Sequence, residues 1–154
     1  MSSSVAKSHS NPLLGALLRL ASQFMSEKFS TWLESSGFEG VQPAHSAAIQ
    51  PLWERPEGTR ITELARASRM TKQSMSALVA DLEAGGYIER VEDPDDARAI
   101  RVRLTSHGRS YARAVRAFSR SVEADWAERI GSQRIEELRA TLELLRTTVF
   151  LARE

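Results

Sequence analysis

A mainly α-helical chain with one small β-hairpin is predicted, on three observations. Apolar residues recur at spacings of three and four along most of the 154 residues, the signature of amphipathic helices. Between Arg98 and Leu104 the period falls to two, with Ile100, Val102 and Leu104 alternating with Arg101 and Arg103. Asp93-Pro94-Asp95-Asp96-Ala97, just ahead, is turn chemistry, so residues 87–92 and 98–104 pair as a hairpin.

The elements follow in order. Residues 1–10 are Ser-rich and polar and read as a flexible N-terminal tail. Asn11 can cap a helix and Pro12 suits a first turn. Leu13, Leu14, Leu17, Ala21, Phe24, Met25, Trp32 and Leu33 then form a wide apolar stripe, ended by Ser35-Ser36-Gly37. A second helix covers 44–53, with Pro51 inside to kink or shorten it. After a turn at Pro56-Glu57-Gly58, Thr62 caps a short third helix running through Ser68. Thr71 caps a fourth, which Gly85-Gly86 stops. Thr105 caps a long fifth helix reaching about Ile130, and Gly131-Ser132 breaks it. The sixth carries Ile135, Leu138, Leu142, Leu145 and Val149 on one face.

Composition excludes several classes. Hydrophobic residues make up 42% and charged residues 27%, which argues against disorder as the main state. There is no cysteine, so disulfides, thiolate metal sites and thiol redox chemistry are out. His9, His45 and His107 lie far apart, and no metal or cofactor is expected. Asp93 and Asp95 do not match a calcium loop, since no glycine or closing glutamate follows in register. Pro12 to Leu18 faintly resembles a leader, but Arg19 interrupts it, and a cytoplasmic location is expected. No apolar stretch approaches the ~20 residues that span a bilayer. No paired histidine and carboxylate, phosphate-binding glycine loop or nucleophile elbow occurs, so no enzyme is expected.

The informative stretch runs from Ile61 to Leu104. Two short helices joined by Ser68-Arg69-Met70, then a hairpin, is the order of a winged helix-turn-helix. In the second of these helices Met75, Leu78, Val79 and Leu82 form the inward face. About 180° away lie Gln73, Ser76, Ala77 and Ala80, a slim face that a major groove can admit. Lys72 can reach a phosphate, Gln73 the edge of an adenine, and Ser74 and Ser76 either bases or phosphates. Net charge is only +1, yet from Leu64 to Ala80 the charged residues are Arg66, Arg69 and Lys72, with no acid. On the hairpin, Arg98 suits insertion into a narrow minor groove, and Asp96 can hold it extended. Arg101 and Arg103 face solvent on the strand, within reach of phosphates.

LARASRMTKQSMSALVADLEAGGYIERVEDPDDARAIRVRLTSHG resembles the helix-turn-helix and wing of the MarR family, with Asp-Pro-Asp-Asp-Ala-Arg at 93–98 similar to its wing tip. The resemblance implies one domain over 11–154, with dimerisation helices at 11–36 and 105–154 and a winged helix-turn-helix lobe at 44–104. It implies a homodimer on double-stranded DNA, with Thr71, Lys72, Gln73, Ser74 and Ser76 at the reading end and Arg98 at the wing tip. The expected function is a sequence-specific transcriptional repressor on a pseudo-palindromic operator, released by a small aromatic or phenolic ligand. Phe29, Trp32, His45, Trp53 and Tyr111 lie on helices able to line such a ligand cleft. Two residues depart from the family pattern: Ala77, where a long basic residue is common, and Pro51. A protein-interaction module that keeps the fold without specific DNA binding is the alternative. The apolar first and sixth helices independently favour dimerisation, because one small lobe cannot bury both.

Overall fold

The computed structural model describes residues 12–150. The tail expected over 1–10, and Asn11 as a cap, lie outside the described residues. The chain divides into two compact units, one ending at Pro43 and the other starting at Ala44.

In the first unit, helix α1 spans Leu14–Ser35. Leu13 stands at its N-cap and supplies no side-chain bond. Ser36 and Gly37 (φ +78°) end it, as the Ser-Ser-Gly sequence predicts. None of its residues is buried, and Leu14 is 65% and Leu20 57% exposed.

A 3-10 turn at Pro43–His45 leads into α2 (Ser46–Leu52) of the second unit, which buries Ala48, Ile49 and Leu52. Pro51 has no N–H to give the Ala47 carbonyl one turn back. That carbonyl accepts instead from the Ser68 hydroxyl at 2.6 Å, so the proline shortens α2 and ties it to the end of the next helix.

Strand β1 is only Thr59–Arg60, and α3 (Ile61–Ala67) starts directly from it. The helix therefore begins one residue before the expected Thr62 cap, with Arg60 in the N-cap position. Helix α4 covers Lys72–Ala84 and is capped by Thr71, whose Oγ1 accepts from the Ser74 amide at 3.1 Å. Strands β2 (Ile88–Asp93) and β3 (Asp96–Leu104) form the hairpin around a tight Pro94-Asp95 turn, with an irregularity between Glu92 and Asp93. The sheet has three antiparallel strands in the order β1-β3-β2, with Thr59 opposite Val102 and Arg60 opposite Arg101.

Helix α5 (Ser106–Ile130) is capped by Thr105, which accepts from the Gly108 amide at 3.0 Å. Gly131 (φ +97°) breaks it, and α6 (Ser132–Leu145) follows, ending in a π-helical turn at Arg146–Phe150. The core gathers Leu64, Met75, Val79, Leu82, Tyr87, Ile88, Val102 and Tyr111, all buried. The rings of Tyr87 and Tyr111 meet edge to face at 5.4 Å.

Candidate nucleic-acid interface

The turn between α3 and α4 sets the presentation of the second helix. The Met70 amide bonds the Ala65 carbonyl at 2.8 Å and the Arg69 amide bonds that of Arg66 at 3.1 Å. This is a Schellman closure, and it puts Arg69 at φ +52°, in the left-handed region that favours glycine. Gly86 (φ +74°) closes α4 in the same way, with the Tyr87 amide on the Leu82 carbonyl at 2.8 Å. Arginine at position 69 costs about 1 kcal/mol of backbone strain relative to an unstrained conformation, and places a cation beside the start of α4.

Met75, Val79 and Leu82 are fully buried and Leu78 half-buried, so the apolar stripe anchors α4 inward. Thr71, Lys72, Gln73 and Ser74 are exposed. Ser76 is half-buried. At 3.6 residues per turn it lies about 110° from the middle of the apolar stripe, on the flank, where the coarse two-face division put it opposite. Thr71 donates its hydroxyl hydrogen to Ser74 Oγ at 2.9 Å, which leaves the Ser74 hydrogen for another acceptor.

The second part of the candidate surface is the hairpin tip. Arg98 is exposed, and no carboxylate pairs with its guanidinium among the described residues. Asp96 was expected to hold the Arg98 side chain. It accepts from the Arg98 backbone N–H instead, at 3.1 Å. The Arg101 guanidinium, expected to face phosphates, is bound by Asp93 at 2.9 Å and Asp95 at 2.8 Å. Arg103 bonds Glu89 across the β2–β3 pair at 2.8 Å.

At the centre of this arrangement is the buried Asp93, whose turn position in the sequence does not reveal that role. Its carboxylate takes Arg60 Nε at 2.6 Å on one oxygen, and Arg101 and the Asp95 amide (3.0 Å) on the other. Burial alone would push the carboxyl up. The hydrogen bonds from Arg60, the Asp95 amide and Arg101 overcome it and hold Asp93 down at about 2. The group is therefore ionised throughout the neutral range, and the tie persists there. Thirty-three residues separate Arg60 from Asp93, and no local pattern announces the pair.

Of the five aromatic and histidine candidates, Phe29 and Trp32 belong to the first unit and His45, Trp53 and Tyr111 to the second. Phe29 and Trp32 stack on each other along α1 at 5.5 Å. In the second unit, buried His45 faces Asp81 at 3.7 Å, and Tyr111 packs on Tyr87. Burial, with Tyr87 adding to it, pushes the Tyr111 phenol up to about 12. Trp53 lies under Arg116, 4.5 Å from ring centre to guanidinium. It lines a cavity of about 170 Å³ with Leu104, Arg109, Ala112, Arg113 and Arg116. Its indole N–H is buried and has no hydrogen-bond partner among the described residues. Among those residues no group of three or more metal-ligating side chains occurs, and no helix is long and apolar enough to cross a membrane.

Two short helices crossing at a tight turn, a three-stranded sheet and an extended hairpin define a winged helix-turn-helix protein. Residues 39–99 match the model of the MarR family. The HTH-type transcriptional repressor Rv2887 of Mycobacterium tuberculosis is 27% identical over 117 residues, covering 68% of this chain and 84% of that protein. A probable transcriptional regulator from Pseudomonas aeruginosa is 28% identical, with a TM-score of 0.70 over 86% of this chain and 96% of that one. The fold is also that of Staphylococcus aureus MepR in its DNA complex: TM-score 0.71, 21% identity, over 90% of this chain and 99% of that one. Over residues 39–99, its helix-turn-helix and most of the hairpin, the chain is similar to the MarR family. That is a family of transcriptional regulators, not of enzymes.

Proposed function

We propose that the chain is a DNA-binding transcriptional repressor, acting as a homodimer on a pseudo-palindromic site in the cytoplasm. The observation that carries this reading is the acid-free, exposed start of α4, together with an exposed Arg98 on the hairpin whose guanidinium no carboxylate pairs among the described residues. Lys72 takes a phosphate, Gln73 and Ser74 reach base edges, and Thr71 and Ser76 hold the rim. Arg98 enters the flanking minor groove, where negative potential is focused. Arg101 and Asp96 brace the hairpin. The name of Rv2887, a transcriptional repressor, supports the repressor reading, and MepR, solved with DNA, supports the DNA-binding reading.

The dimer is supported by apolar surface. Leu138 (46%), Leu142 (40%) and Val149 (47%) are exposed along one face of α6 and the turn after it, spaced by four and seven residues. A small ligand releases the repressor by favouring a spacing of the two α4 helices that does not fit DNA. Trp53 over its cavity is the best placed of the candidates, and Phe29, Trp32, His45 and Tyr111 remain ones whose substitution tests the ligand reading.

The experiment is enrichment from a random duplex library by the wild-type chain, followed by affinity for the enriched and a scrambled duplex across salt. The expected motif has two half-sites about one helical turn apart. Affinity for the enriched duplex should be at least about a thousandfold higher, and both affinities should fall steeply with salt. Equal affinity for both duplexes overturns the sequence-specific reading and favours the protein-interaction module.

A further inference from the structure

The hairpin tip carries three aspartates close to the one arginine offered to DNA, an arrangement that looks repulsive toward phosphate. The structure resolves it through a residue on a different strand. Arg60 Nε bonds Asp93 at 2.6 Å, and the same guanidinium reaches Asp96 Oδ2 at 3.6 Å through its NH2 group. The other oxygen of Asp96 accepts the Arg98 N–H at 3.1 Å. Arg101 takes up Asp93 and Asp95. Every aspartate of the tip is thus engaged by a guanidinium, and two of the three also accept a backbone amide. Two cations neutralise the three carboxylates in large part and leave the Arg98 guanidinium outside the cluster.

Arg60 has a second attachment. It is the N-cap residue of α3 and pairs with Arg101 across β1 and β3. One side chain therefore joins the first helix of the helix-turn-helix to the backbone of the residue at the wing tip.

We infer that Arg60 is a positioning residue for DNA recognition: through Asp93 and Asp96 it fixes the Arg98 backbone relative to α3 and so sets where the Arg98 guanidinium enters the minor groove. This rests on the DNA-binding reading above. Arg60 itself does not touch DNA in this account. It acts through Arg98, and a double-mutant cycle separates that role from a general structural one.

The full-length chain is compared as wild type, Arg60→Gln, Arg98→Ala and the double variant, on the duplex that the wild type enriches. Each single change is expected to weaken binding about tenfold, as loss of one good groove contact does. The double variant should bind no more than about twofold more weakly than Arg98→Ala alone, because Arg60 has nothing left to position. Multiplicative losses of about a hundredfold overturn the inference and leave Arg60 a structural residue or a separate contact.

Hydrogen exchange on the free protein is the second readout. In Arg60→Gln the Asp95 and Arg98 amides should exchange about tenfold faster, while the Val79 amide in α4 keeps its protection. Unchanged exchange at Arg98 also overturns the inference. If the wild type enriches no duplex, the DNA-binding reading falls, and the exchange result still decides whether Arg60 holds the tip. Should Arg60→Gln fail to fold, Asp96→Asn cuts only the outer link at an exposed residue and is expected to show the same non-additivity with Arg98→Ala.

Discussion

Gly108→Ala should destabilise the second unit by about 3 kcal/mol, the upper range for forcing atoms into a packed interior. A Cβ at this position would lie 2.0 Å from the Tyr87 carbonyl oxygen and 3.0 Å from its carbon. Both are backbone atoms, so no side-chain rotation relieves the clash. The start of α5 would have to lift from the start of β2. That stretches the bond from the Thr105 amide to the Tyr87 carbonyl, now 3.0 Å, and separates the Tyr87 and Tyr111 rings. Urea unfolding followed by circular dichroism checks it. Gly15→Ala is the control: its Cβ meets nothing within 4 Å, and an exposed helical glycine replaced by alanine should gain about 1 kcal/mol of helix stability. Equal midpoints for Gly108→Ala and wild type would show that the close approach does not hold α5 in place.

The double change Leu138→Asp/Leu142→Asp is expected to give a monomer. Full burial of a leucine is worth about 2 kcal/mol, and the part of each that is still exposed accounts for about 1 kcal/mol; each occurs twice across a two-fold axis, so roughly 4 kcal/mol of association is lost. Burying a carboxylate in its place adds to the loss. Neither leucine is in the core of the second unit, since both are at least 40% exposed, so the free chain should keep its helical spectrum. Sedimentation velocity at micromolar concentration reads the outcome. DNA affinity should drop at least about a hundredfold, because each recognition helix then binds a half-site without its linked partner. A variant that still sediments with the wild type removes this face of α6 from the dimer reading.

Much of this architecture is legible in the residues. Thr71 and Thr105 cap the helices they were expected to cap, because the cap bond is local. Gly86 and Gly131 end helices at the positions that glycine marks. Met75, Val79 and Leu82 are inside, as their spacing requires. What escaped is non-local or too short. Strand β1 has two residues, fewer than any periodic pattern needs. Pro51 reads locally as a disruption, but the carbonyl it frees is used by Ser68, 21 residues away. Arg60 looks like an ordinary surface cation until the fold brings it to Asp93. Ser76 was misplaced by a coarse division of the helix into two faces.

The candidate site divides the same way. Exposure of Lys72, Gln73 and Ser74 follows from helix periodicity, and the structure agrees with it. The roles of the charged hairpin residues depend on which carboxylate meets which guanidinium, and turn chemistry does not specify that. Asp96 serves the Arg98 backbone, and Arg101 serves Asp93 and Asp95.

If the exposed edge of α4 reads bases, Gln73→Ala changes which bases the protein prefers. Duplexes enriched by this variant are compared, position by position, with those enriched by the wild type. Preference should collapse at one pair of symmetry-related base pairs, at about 1–3 kcal/mol per lost contact, while the rest of the motif persists. An unchanged motif at every position would contradict it, and would mean that Gln73 faces the duplex without reading it.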